Sequence, residues 1–92
     1  MADVKTVFGE TLKKCRAKSG QTQQDVAMSC EMSLRFYQDL EAGNKQASIT
    51  TVFRLADSLN VTPNELILPA YKSWKSSGGK EADERTSTND DE

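Results

Sequence analysis

The chain has 92 residues, 36% of them hydrophobic and 28% charged, with a formal net charge of −2. A length like this holds one small domain with a compact core and no surplus of apolar material, a size that gains from a partner. With no histidine and only two cysteines, Cys15 and Cys30, at no metal-binding spacing, a zinc site of the usual type is excluded and no metal or cofactor is expected. No apolar run reaches the ~18 residues of a membrane span, and nothing resembles a secretory leader, so both thiols are expected reduced in a soluble, cytoplasmic protein.

Along residues 1–68 the apolar residues recur at helical spacing, and no alternating strand pattern appears. Val4, Phe8, Leu12 and Cys15 form the stripe of a first helix that ends near Gly20. Thr22 can cap a short second helix, where Asp25 suits the positive end of the dipole and Val26 and Ala27 face inward. A third helix lies within "MSLRFYQDLEAG" (32–43), opened by Ser33 and closed by Gly43, with Phe36, Tyr37 and Leu40 on its core side. Ser48 can cap a fourth helix carrying Val52, Leu55, Ala56 and Leu59 inward. "TPNE" starts a fifth: Thr62 as cap, Pro63 at the first position and Glu65 at the third make a capping box. Leu66 and Ile67 supply its apolar side, and Pro69 is expected to stop it. The whole reads as an all-α domain over 1–75, with no internal repeat.

From Ser76 onward the chain is "SSGGKEADERTSTNDDE", without a large apolar residue, and 76–92 is expected to be a disordered acidic tail. Residues 1–75 carry ten Lys/Arg against eight Asp/Glu, a net of +2, while 76–92 carry a net of −4. A weakly basic domain therefore bears an acidic tail, which could act as a passive spacer or as an electrostatic brake.

Between the second and third helices so few residues intervene that the two must meet at a steep angle, the geometry of a helix-turn-helix. Its steric demands are met at fixed offsets from Gln23: small Ala27 for close approach, and Val26, Met32, Tyr37 and Leu40 to lock the pair.

The stretches "LKKCR", "GQTQQDVA", "SLRFYQDLEAG" and "FRLADSLNVTPNEL" together resemble the phage-repressor/Cro-type helix-turn-helix regulators, also called xenobiotic-response-element-type regulators. The resemblance covers Phe8 to Ile67. It implies a compact five-helix, lambda-repressor-like DNA-binding domain, usually a homodimer on a partly palindromic operator of double-stranded DNA. It also implies a phosphate contact from Gln23, backbone contacts from Asn44, Lys45 and Gln46 after the third helix, and an Arg16–Glu41 ion pair between the first and third helices. Three features depart from the pattern. Glu31 stands in the tight turn where many members have Gly, a position that strains other residues if φ is positive. Ala47 replaces a common loop proline, and Asn44-Lys45-Gln46 is less basic than the loops of stronger binders.

If the third helix is the recognition helix, its outer face of Leu34, Arg35, Gln38 and Asp39 enters the major groove. Arg35 suits a guanine edge and Leu34 a thymine methyl, while Gln38 can read adenine. Asp39 can accept from cytosine or orient Arg35, and Ser33 joins Gln23 in positioning by backbone contact. Without the resemblance, Arg35 and Asp39 read equally as an ordinary surface pair. Tyr71 and Trp74 beyond the last helix can form part of a dimer contact or fold back as a lid. The competing function is an interaction module of antitoxin or anti-repressor type, whose main partner is another protein. No enzyme is expected, since neither a paired carboxylate motif nor a phosphate-cradling glycine loop is present.

Overall fold

The computed structural model describes residues 3–79. Five helices follow one another: α1 (Val4–Ser19), α2 (Gln23–Ser29), α3 (Leu34–Ala42), α4 (Ile49–Leu59) and α5 (Pro63–Ser76). Every helix begins at a short polar residue in extended conformation whose side chain accepts a backbone N–H three residues on: Asp3, Thr22, Ser33, Ser48 and Thr62. Each such cap contributes about 1 kcal/mol. At α2 the box is reciprocal. The Asp25 N–H donates to the Thr22 hydroxyl and the Thr22 N–H to the Asp25 carboxylate, both at 3.0 Å. At α5 the Thr62 hydroxyl accepts from the Glu65 N–H at 3.3 Å, and the Glu65 carboxylate meets that hydroxyl at 3.4 Å.

All five helices contribute to one core, whose innermost side chains are Leu12, Val26, Cys30, Tyr37, Leu40, Leu55 and Leu66. Gly9 lets α1 and α3 approach backbone to backbone. A Cβ added at Gly9 would lie 2.5 Å from the Glu41 carbonyl oxygen and 2.6 Å from that of Leu40. The last turn of α3 thus rests directly on the backbone of α1, which sets how α3 is held out from the body. Gly43 then ends α3 in the left-handed region at φ 80°.

Pro69 does not stop α5, which runs on to Ser76. A proline inside a helix removes one hydrogen bond, here to the Glu65 carbonyl. Both residues are exposed, while Leu66 and Ala70 are buried in the core. Burial outweighs the local penalty, and Tyr71 and Trp74 therefore belong to α5 itself rather than to a segment beyond it. Of the acidic tail expected from Ser76, residues 80–92 lie outside the described residues.

Candidate nucleic-acid interface

The corner between α2 and α3 is built by backbone hydrogen bonds: Cys30 N–H to the Val26 carbonyl at 3.0 Å, Glu31 N–H to Met28 at 3.1 Å, and Met32 N–H to Ala27 at 3.0 Å. Ala27 is buried at the crossing. Glu31 takes φ 58°, the left-handed conformation a glycine would supply there. A side chain in that conformation costs about 1–2 kcal/mol. Cys30 is buried and Cys15 half-buried, and both are free thiols. Burial pushes the Cys15 thiol above its ordinary pKa, with Glu65 adding to it.

On α3 the two faces separate cleanly. Tyr37 and Leu40 are fully buried and Phe36 half-buried against the core. Outward, Arg35 extends into solvent with its side chain 86% exposed, and its Nε stands 3.8 Å from the Asp39 carboxylate. At that distance the two attract without a hydrogen bond to lock them, so the guanidinium is free to take another partner. Gln38 is exposed and Leu34 half-buried. Ser33 serves as the cap of α3, accepting from the Phe36 N–H at 3.0 Å.

Behind this face lies a polar network centred on Glu41, whose side chain is only 5% exposed. Arg16 Nε donates to Glu41 Oε2 at 2.6 Å, and Arg16 Nη1 reaches the Gln21 carbonyl at 3.1 Å. The Tyr37 hydroxyl donates to the same Oε2. Gln23 Nε2 donates to Glu41 Oε1 at 2.9 Å, and Gln38 Nε2 donates in turn to Gln23 Oε1 at 3.2 Å. Burial alone would raise the Glu41 pKa, but hydrogen bonds from Arg16, Tyr37 and Gln23 outweigh it and the net shift is downward. Burial, reinforced by that carboxylate, pushes the Tyr37 hydroxyl far above its ordinary value, so it stays protonated and donates.

The structure thus joins Gln23 to Gln38, Arg35 to Asp39, and Arg16 to Glu41. Its role for Tyr37 exceeds the core packing read from the sequence, although Tyr37 and Glu41 stand four apart on one helix, a spacing that was available as a signal. The loop residues Asn44, Lys45 and Gln46 are exposed, with the Asn44 N–H bonded to the Asp39 carbonyl at 2.9 Å. Lys45 and Gln46 also border a second feature. A groove of about 300 Å³ runs between the start of α1, α4 and α5, lined by Val4, Phe8, Val52, Ile67, Tyr71 and Trp74 among others. Tyr71 and Trp74 stack with ring centroids 6.2 Å apart. Among the described residues, no cluster of His, Cys, Asp or Glu could hold a metal ion, and no helix is long and apolar enough to cross a membrane.

Comparison with known proteins points the same way. The chain is 30% identical over 67 residues to the control protein C.MunI of a Mycoplasma species, a match spanning 72% of this chain and 90% of that protein. It is 28% identical over 67 residues to the HTH-type transcriptional regulator y4dJ of Sinorhizobium fredii, covering 73% and 87% of the two. The restriction-modification controller protein C.AhdI from Aeromonas hydrophila superposes with a TM-score of 0.65 at 26% identity, over 66% of this chain and 92% of that one. A model of the helix-turn-helix domain family matches residues 7–67, so the capped corner, its small crossing residue and the outward face of α3 are those of a member: this chain belongs to the helix-turn-helix domain family.

Proposed function

We propose that the chain binds operator DNA as a two-fold homodimer, reading sequence with the outer face of α3. It is a helix-turn-helix DNA-binding transcriptional regulator. The observation that carries the finer reading is the contrast across α3, whose inner face packs on the core while Arg35 and Gln38 are exposed. On this reading Arg35 and Gln38 meet base edges, Leu34 meets a thymine methyl, and Asp39 orients Arg35 or accepts from cytosine. Ser33, Gln23, Asn44, Lys45 and Gln46 set the register on the phosphates. Repression follows if the bound site overlaps a promoter, and autoregulation if that promoter is the chain's own.

A two-fold dimer spaces two α3 helices about one DNA turn apart, ~34 Å, and doubles the small positive excess of residues 1–75. Tyr71 and Trp74, at the rim of the apolar groove, supply surface for that contact. The test is binding to the DNA upstream of the chain's own gene, followed by fluorescence anisotropy against salt, with scrambled DNA and Arg35→Ala as controls. Arg35→Ala should lose ~1–3 kcal/mol of discrimination at one base pair and leave the melting temperature nearly unchanged. Unaltered sequence preference in that variant removes Arg35 from the base-reading set.

A further inference from the structure

Gln38 carries both a donor and an acceptor at its tip, and an unconstrained amide can turn either one toward a base. Here it is not unconstrained. We propose that Glu41 is a positioning residue that fixes, through Gln23, which edge Gln38 offers to DNA, so that Gln38 presents its amide oxygen and one N–H in the pattern that reads adenine. The inference rests on the DNA-binding reading of α3 given above.

The polarity runs outward from the carboxylate. An ionised carboxylate only accepts hydrogen bonds: Glu41 Oε2 accepts from Arg16 Nε and Tyr37, and Oε1 accepts from Arg16 Nη2 at 3.4 Å with room for one more donor. Gln23 must therefore turn its amide nitrogen toward Glu41 Oε1, which it does at 2.9 Å. That leaves Gln23 Oε1 facing Gln38, and an oxygen there calls for a donor. Gln38 answers with Nε2 at 3.2 Å. Turning over the Gln38 amide would set two oxygens against each other, and turning over Gln23 would set its oxygen against a charge. Both flips are opposed, the inner one more strongly because its hydrogen bond is charge-assisted and half-buried.

With one N–H committed to Gln23, Gln38 retains Oε1 and its second N–H. Adenine alone offers the complementary pair on one edge, the N6 donor and the N7 acceptor. Guanine offers two acceptors, cytosine a donor, and thymine an acceptor beside a methyl. The polarity therefore originates at a side chain that need not touch DNA at all.

The test uses the full chain and two readouts. Selection from a randomised DNA library with the unmodified chain and with Gln38→Ala identifies the base pair read by Gln38. Gln23→Leu leaves the Arg16–Glu41–Tyr37 contacts intact and should relax adenine preference at that same pair by about tenfold, the discrimination of one bidentate contact. Other pairs, including the one lost in Arg35→Ala, should keep their preference. Glu41→Gln, whose amide can donate or accept, should relax the same pair. A purely structural role would instead leave the relative preference at every pair, this one included, unchanged, whatever the fall in affinity or melting temperature. In the free protein, the Gln38 side-chain amide resonances should move toward solvent values in Gln23→Leu. Unmoved resonances or an unchanged adenine preference in Gln23→Leu, whether or not overall affinity falls with the lost phosphate contact, would each overturn the relay while leaving the Arg35 reading in place. If the unmodified chain selects no sequence, the DNA-binding reading itself fails and the assignment of adenine fails with it.

Discussion

The α1–α2–α3 corner and the α4–α5 side of the molecule solve different problems. At the corner, polar groups are paired from the half-buried interior out to the surface: Arg16, Gln23, Tyr37 and Gln38 converge directly or in series on Glu41. Around the groove the surface is apolar, with Ile67, Tyr71 and Trp74 exposed beside Phe8 and Val52. Buried hydrogen-bonded ions add little net stability, since their desolvation offsets their attraction, but they enforce one geometry. Apolar area adds binding free energy with little direction. The corner is thus built to hold α3 in one orientation, and the groove leaves apolar surface exposed.

The sharpest way to break that contrast is to remove its centre. Glu41→Ala leaves the Arg16 guanidinium, 18% exposed, without its counterion, and also strips partners from the Tyr37 hydroxyl and Gln23. Breaking one side of a buried pair costs ~3–5 kcal/mol. The expected outcome is a loss of this size in urea unfolding; a loss below about 1 kcal/mol would show that the network is dispensable for stability. Next in size is Gly9→Ala, which drives a Cβ to within 2.5 Å of the Glu41 carbonyl oxygen. Overpacking at a backbone contact typically costs ~1–3 kcal/mol, and because it lifts α3 from α1 it should weaken DNA binding as well. Denaturation and anisotropy on the same preparation separate the two effects.

Trp74→Ala probes the other side of the comparison. It removes exposed aromatic surface at the groove's rim, so unfolding of the monomer should change by less than about 1 kcal/mol. If the groove side forms the dimer, the dissociation constant in sedimentation equilibrium should rise about tenfold or more, as for an aromatic anchor. An unaltered sedimentation profile would place the dimer contact elsewhere.

What was legible in the sequence follows the range of the forces involved. Helix starts depend on one side chain and the next three residues, so Thr22, Ser33, Ser48 and Thr62 could be read directly and each serves as a cap. The inward residues of α3 and α4 follow from spacing on one helix. Pro69 misled because a local rule was outweighed by the burial of Leu66 and Ala70, which only the packed fold reveals. The Gln23–Gln38 bond joins residues 15 apart on crossing helices. Its existence depends on the crossing angle and two rotamers, and neither is written in a pattern of residue types. Arg16 and Glu41 were paired through the family resemblance, yet the number of groups meeting at that carboxylate came only from the coordinates.

Acid provides the mildest perturbation and the most selective one. Glu41 has its pKa lowered in the folded chain, so its carboxylate binds protons more weakly folded than unfolded. By linkage, its contribution is fully present above the ordinary carboxylate value near 4.5 and is lost as pH falls through the lower, folded value. Asp3 and Asp25 are lowered too, by hydrogen bonds from Thr6 and Thr22 respectively, but both carboxylates stand at the surface and outside the network. Unfolding free energy should therefore fall as pH is taken from 6 down to about 3 and these carboxylates take up protons. Glu41→Gln should remove the share of that fall that belongs to Glu41 and leave the rest, since the caps of α1 and α2 keep their own carboxylates. A variant with the same fall as the unmodified chain would show that the corner's carboxylate adds nothing to acid sensitivity, and the contrast between a charged, oriented corner and an apolar groove would lose its energetic basis.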